Sequence, residues 1–383
     1  MAFTDIATPA SRRARRAKAA VADAARTVNA KSRSGAPAKQ PSASTLKLAR
    51  QLKLKYTTAD ALTIKRKRHG AGFSYLAPDG KPIREPASLA RLKSLAVPPA
   101  YVDVLYAEDE RAHLQATGRD AAGRLQYRYH PEWQKVREIR KARRLAKLAE
   151  LLPRIRRSIA QHMSGDEPNR EFVLACVIEL VARTAIRPGS ESYARLRGTR
   201  GAATLLKSNV VVDGDTITLR FKAKGGKQVL KEFFAPRLAA AIRILRRLAG
   251  KRLFQFRNEN GEVRAVNAQE VNRFLCDVAG ARISLKDFRT LLASVTVLDA
   301  LAREAPATSK RGRRRQVLEA IRLAAEDLVN TPAICAKSYV HESVVTAFEE
   351  GVLEKFAETL RSTRSTAKRE QVLAQVMAEA AAA

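Results

Sequence analysis

The stretch NVVVDGDTITLRFKAKGGKQVLKEFF, from Asn209 to Phe234, decides the fold. Three runs rich in β-branched and aromatic residues are separated by two turn signals, Asp213-Gly214 and Lys224-Gly225-Gly226-Lys227. Such pairs favour the positive φ of tight hairpins, so the spacing predicts a three-stranded antiparallel sheet. On both sides the chain reads as helix. Upstream, Val136, Ile139, Leu145, Leu148, Leu152, Ile155 and Ile159 recur near helical spacing, with Pro153 expected to break or kink the run. A second helix is expected from about Arg170 to Thr184, and helices resume at Pro236.

Further upstream the texture is different. Between Leu62 and His130 short strand-like pieces alternate with turns: GFSYL (Gly72–Leu76) before Ala77-Pro78-Asp79-Gly80, then VDVLYAE, then LQATGRDAAGRLQYRYHP (Leu114–Pro131). Asp120-Ala121-Ala122-Gly123 divides the last of these into a hairpin. Only SLARLKSLA (Ser88–Ala96) reads as helix there. The fold class expected is therefore α+β: a small β-rich N-terminal domain, 56–131, and a mainly helical domain, 132–346, around the three-stranded sheet. Residues 1–55 carry thirteen Lys or Arg against Asp5 and Asp23 and few apolar residues, so a basic disordered tail is expected. The segment 309–315 reads as a basic linker or helix lead-in. The alanine-rich end, within 347–383, reads as a helical tail that frays.

Lys and Arg number 72 against 38 Asp and Glu, a formal charge of +34, with 45% hydrophobic residues over 383 positions. The chain can bury real cores in two or three domains. A charge so unbalanced costs self-repulsion in any compact state and suits a polyanionic partner, nucleic acid first and an anionic membrane surface second. With no run of 18 apolar residues, no segment is expected to span a bilayer. The Arg-rich N-terminus lacks the apolar core of a secretion signal. Cys176, Cys276 and Cys335 lie far apart, which fits a reducing compartment and gives no zinc spacing. No HExxH, paired CxxC or GxxxxGK[ST] is present, so neither a metal nor a nucleotide cofactor is expected. What remains is a set of Arg, Lys, Asn and Tyr. It suits phosphodiester chemistry, in which cations hold the non-bridging oxygens, an acid protonates the leaving oxygen and a hydroxyl attacks.

ARTAIRPGSESYA, RFKAKGGK, LKDFRT and NTPAICAKSYVH occur in that order, preceded by QATGRDAAGRLQYRYHP. Together they resemble the motifs of the type IB DNA topoisomerases, in the small bacterial branch related to the poxvirus enzymes. The resemblance covers roughly residues 62–346. It implies an N-terminal DNA-clamping domain and a catalytic domain of the kind shared with tyrosine recombinases. It assigns the nucleophile to Tyr339, two phosphate-holding arginines to Arg187 and Arg289, a general acid to Lys224, and a phosphate hydrogen bond to Asn330. A guanidinium donates two parallel hydrogen bonds, which Lys cannot copy. Lys222 and Lys227 flank Lys224 and leave that assignment open, and Asn330-Thr331-Pro332 also reads as a helix stop.

The resemblance further implies DNA contacts at Gln126, Tyr127, Tyr129, Arg119, Arg128, Lys286 and Lys337. In a strand Tyr127 and Tyr129 share one face, and Gln126, Arg128 and His130 take the other. Pro188, Ser190, Leu291 and Glu342 depart from the family's usual residues. The function implied is relaxation of supercoiled double-stranded DNA through a 3′-phosphotyrosyl link, without ATP or metal, by a monomer in the cytoplasm that associates with the nucleoid. The alternatives are a tyrosine recombinase, against which Lys286 stands where His is usual, and a DNA-compacting protein that merely uses its charge.

Overall fold

A computed structural model describes residues 41–382, and two compact units divide at Arg140 and Lys141. In the first unit, helix α1 (Ala43–Gln51) precedes β1 (Ile64–His69), β2 (Gly72–Leu76), helix α2 (Pro86–Ser94), β3 (Val102–Tyr106), β4 (Leu114–Arg119) and β5 (Leu125–Tyr129). The strands form one antiparallel sheet in the order β2-β1-β3-β4-β5. Ile64, Tyr75, Val104, Tyr106 and Ala116 from the sheet bury against Leu92 of α2. Each expected strand and the hairpin at Asp120–Gly123 is present.

The expected tail differs where it is described. Residues 1–40 lie outside the described residues, but α1 is a capped helix, with Ser42 Oγ accepting from the Thr45 amide. Leu48, Ala49 and Leu54 are buried with Trp133 and Val136. A composition count over 1–55 averages away this short apolar face, which carries the helix into a core.

Helix α3 (Pro131–His162) contains the point where the chain passes from one unit to the other. It continues through Pro153 rather than breaking there. Pro153 is exposed, on a face of the helix where its ring meets no core packing. In the second unit follow α4 (Arg170–Thr184), α5 (Glu191–Arg197), β6 (Val210–Asp213), β7 (Thr216–Lys222) and β8 (Gln228–Phe234). The strands pair β6-β7-β8, all antiparallel, as the turn residues predict. Ile217, Leu219, Phe221 and Val229 point into the core. Next come α6 (Pro236–Arg246), a small hairpin β9 (Gln255–Arg257) and β10 (Val263–Ala265), α7 (Ala268–Ala279), α8 (Leu285–Leu301), α9 (Lys310–Asp327), α10 (Pro332–Ser338), α11 (Glu342–Glu349), α12 (Glu354–Ser362) and α13 (Thr366–Ala382). The basic segment 309–315 is a helix lead-in, since Ser309 caps α9.

Helices α4 and α8 are apolar nearly all round, the mark of central helices, and they pack on each other. The alanine-rich end is no fraying tail over its described length. Val372, Leu373, Val376 and Met377 are buried, α13 packs on α8 and α11, and Glu370 pairs with Arg156 at 2.7 Å.

Candidate active site

Where α4 ends, Ala185 adopts a left-handed conformation (φ +49) and turns the chain into Ile186-Arg187-Pro188-Gly189. This loop is stitched to a second one. The Ala202 amide donates to the Arg187 carbonyl (2.8 Å) and the Ala203 amide to the Pro188 carbonyl (2.9 Å). Gly189 (φ +94) and Gly201 pack backbone to backbone. A Cβ on Gly201 would stand 2.5 Å from the Arg187 carbonyl oxygen, and one on Gly189 2.7 Å from Thr204 Oγ1. Only hydrogens fit there, and the approach holds Arg187 at its place. Pro188 and Ser190 are accommodated, Ser190 as the N-cap residue of α5.

Helix α9 ends in a Schellman pattern, with the Val329 amide donating to Glu326 (2.9 Å) and the Asn330 amide to Ala325 (2.8 Å). Val329 takes the left-handed position (φ +51), which a β-branched residue occupies only under strain. The turn presents the Asn330 side chain, whose Oδ1 accepts from Arg187 Nη2 at 2.6 Å. Asn330 thus ends a helix and also reaches another site residue.

Arg289, on the first turns of α8, is 2% exposed. Its guanidinium donates to the carbonyls of Ala185 and Leu328, the latter at 3.1 Å, and so joins the ends of α4 and α9. Cations suit helix C-termini, where carbonyls lack partners. Leu291, one of the departures, is buried in the core beside it.

Tyr339 is the C-cap of α10, with the Arg289 Cζ 4.8 Å and the Lys286 Nζ 6.0 Å from its ring centroid. Burial by itself pushes the phenol pKa up. The Arg289 charge, with those of Arg187 and Lys286, outweighs it and holds the pKa below the usual tyrosine value. Arg289 Nε and Asn330 Nδ2 are buried donors without a hydrogen-bond partner. An anion with several acceptor oxygens would satisfy both.

Tyr339, Arg289, Arg187 and Asn330 are therefore brought together from four separate segments. Lys224 stands exposed at the β7–β8 turn, and no hydrogen bond or ion pair joins it to these four. The turn is tied to the site by Lys227, whose Nζ donates to the Val329 carbonyl at 3.3 Å. Lys231 on β8 lines a cavity with Arg187, Arg200, Arg289 and Asp327, and burial lowers its pKa against the pull of Asp327. Neither Arg200 nor Lys231 is distinguishable by sequence in a chain so rich in cations. Lys337 is exposed on α10, next to the site in sequence.

In the first unit, Tyr127 and Tyr129 do share a face of β5. Their rings lie 6.2 Å apart at 16°, and Tyr129 continues to Trp133 at 6.4 Å. They are 47% and 41% exposed, an aromatic strip rather than a core. Gln126 donates to Asp120 (2.9 Å), Arg128 to the Ala96 carbonyl (2.8 Å) and Arg119 to the Gly123 carbonyl (3.1 Å), so all three are held against their own unit.

Residues 130–367 match the eukaryotic DNA topoisomerase I catalytic core, and residues 72–120 match the bacterial DNA topoisomerase IB N-terminal domain. DNA topoisomerase 1B of Acanthamoeba polyphaga mimivirus is 28% identical over 284 residues, which cover 72% of this chain and 84% of that protein. Among the described residues no helix is long and apolar enough to cross a membrane. More than half the chain falls within the catalytic-core match, in the part that holds the buried arginine, the tyrosine and the three-stranded sheet, and the chain belongs to the type IB DNA topoisomerases, isomerases that act on DNA.

Proposed function

We propose that this enzyme relaxes supercoiled duplex DNA by cutting one strand through a covalent tyrosyl link, with Tyr339 as the nucleophile. The observation that carries the reading is the buried Arg289 guanidinium beside the half-buried Tyr339 ring, with orphaned donors on Arg289 and Asn330. The Tyr339 oxygen attacks a backbone phosphorus and gives up its proton to solvent water, and the P–O5′ bond breaks. The leaving oxygen takes a proton from Lys224 at the hairpin tip and departs as a 5′-hydroxyl. Arg187, Arg289 and Asn330 hold the non-bridging oxygens as charge builds on them. Torque turns the free end, the hydroxyl attacks back, and Tyr339 is released.

The bond energy stays in the 3′-phosphotyrosyl link, so ATP is not needed. The positive charges come from side chains, so no metal enters the steps. The aromatic strip of Tyr127 and Tyr129, with Gln126, Arg119 and Arg128, would contact the duplex, and Lys286 and Lys337 would meet phosphates near the cut. The enzyme would act as a monomer associated with the nucleoid. Relaxation of positively and negatively supercoiled plasmid in EDTA without ATP tests the reading. Wild type is expected to relax both and Tyr339→Phe neither, while still binding DNA. Retained relaxation by Tyr339→Phe would remove Tyr339 from the role.

A further inference from the structure

Three consecutive residues that begin with Tyr339 are pinned through their backbones. Ser294, fully buried on α8, donates from Oγ to the Tyr339 carbonyl (3.3 Å) and accepts from the His341 amide (3.1 Å). Between them, the Val340 carbonyl accepts from Lys141 Nζ on α3 at 2.7 Å. One turn along α3, Arg144 Nη2 donates to Asp287 Oδ2 (2.5 Å) and Ser284 Oγ (3.0 Å) at the start of α8. The same Asp287 oxygen accepts from the Ser284 amide and hydroxyl, both at 2.8 Å, and so closes the first turn of the helix that carries Lys286 and Arg289.

We infer that Lys141 and Ser294 are positioning residues for strand cleavage: together they form a bracket that fixes the Tyr339 backbone against the helix bearing Arg289. The inference rests on the assignment of Tyr339 as nucleophile. Ser294 follows Arg289 by five residues on one rigid helix, so the distance from guanidinium to phenol is set by that helix and by two hydrogen bonds. Lys141 holds the Val340 carbonyl between those two bonds, and Arg144 keeps α3 in register with the same helix through Asp287. Tyr339 caps a helix of only seven residues, α10, and its φ of −130 has already left helical geometry. A short helix supplies little stiffness of its own. An attacking oxygen has to stand in line with the breaking bond, and a displacement of about 1 Å costs about a hundredfold in rate.

The test is single-turnover cleavage of a duplex whose cut strand releases a short 5′-hydroxyl fragment, followed from pH 6 to 10 by the tyrosyl adduct on a denaturing gel. Wild type, Lys141→Met, Lys141→Arg and Ser294→Ala are compared, and duplex affinity is measured with each in a Tyr339→Phe background. The groups charged toward the phenol are Arg289 and Lys286 on α8 and Arg187 in the loop after α4. With the bracket loosened, the rising limb of the pH–rate curve moves toward higher pH. Lys141→Met and Ser294→Ala are expected to slow cleavage about 10- to 100-fold with affinity unchanged within about twofold. Lys141→Arg, which can still reach the carbonyl, is expected to stay within about threefold. Ser294→Ala is judged only if its thermal unfolding remains cooperative, and Lys141→Met, at a half-exposed position, carries the test otherwise. Wild-type rates and pH limb in Lys141→Met would overturn the bracket, as would slow cleavage matched by lost affinity. Absence of a tyrosyl adduct in wild type would overturn the assignment of the nucleophile instead.

Discussion

A single guanidinium does two things that pull against each other. Arg289 is buried, which disfavours its charge, yet it is surrounded by the carbonyls of Ala185 and Leu328 and by the Tyr339 ring. Removing it would leave two helix-end carbonyls unpaired and the phenol in an apolar setting that raises its pKa. Arg289→Gln is therefore expected to slow adduct formation about 100- to 1,000-fold, the usual cost of losing one donor to a developing oxyanion. Its residual activity should rise only at more alkaline pH, because Tyr339 loses the charge that held its pKa down. Stopped reactions across the pH range check both, and an unshifted limb would mean that Arg289 does not tune the phenol. Gly201→Ala forces a methyl against the Arg187 carbonyl and should cost about 1–3 kcal/mol in unfolding free energy. Cleavage should slow with it, since Arg187 is carried on the displaced loop.

Short elements owe their places to partners far along the chain. Helix α1 is held in the first unit by Leu48, Ala49 and Leu54 against Trp133, with His113 sandwiched nearby. His113 stacks on Tyr56 at 4.3 Å and meets Trp133 edge-on at 4.4 Å, and its Nδ1 accepts from the Thr57 amide at 3.0 Å. That acceptor exists only on the neutral ring. Burial lowers its pKa to about 4, opposed by the Lys55 backbone contact. A folded pKa below the unfolded value of about 6.5 means that the unfolded chain binds the proton more readily. The stabilisation from His113 is then complete above about pH 6.5 and is lost as pH falls toward 4, at most about 3 kcal/mol. Denaturant melts of the wild type at pH 7.5 and 4.5 should differ by more than those of His113→Phe, and equal differences would discount the histidine.

For the molecule as a whole, charge is expected to govern affinity for DNA. Residues 1–40 contain nine of the 72 Lys and Arg and two acids. Each phosphate neutralised adds about 0.9 to the slope of log affinity against log salt on duplex DNA. A chain lacking residues 1–40 is expected to relax plasmid still, with weaker binding and a shallower slope. An unchanged slope would show that these cations meet no phosphates.

Local rules made much of this protein legible. Period-two runs closed by Asp213-Gly214 and Gly225-Gly226 determine the sheet β6-β7-β8, because turn chemistry and side-chain alternation act within a few residues. Apolar periodicity determines α3 and α4 for the same reason, and the ordered motifs placed Tyr339, Arg187, Arg289 and Asn330 in one family pattern. The tertiary structure alone decided that Arg289 reaches back 104 positions to Ala185, and that Arg187 donates to Asn330, 143 positions away. It also decided that α1 and α13 are core elements rather than tails. Burial and hydrogen bonding between distant segments depend on which faces meet once the chain has collapsed, and no window of sequence contains that pairing.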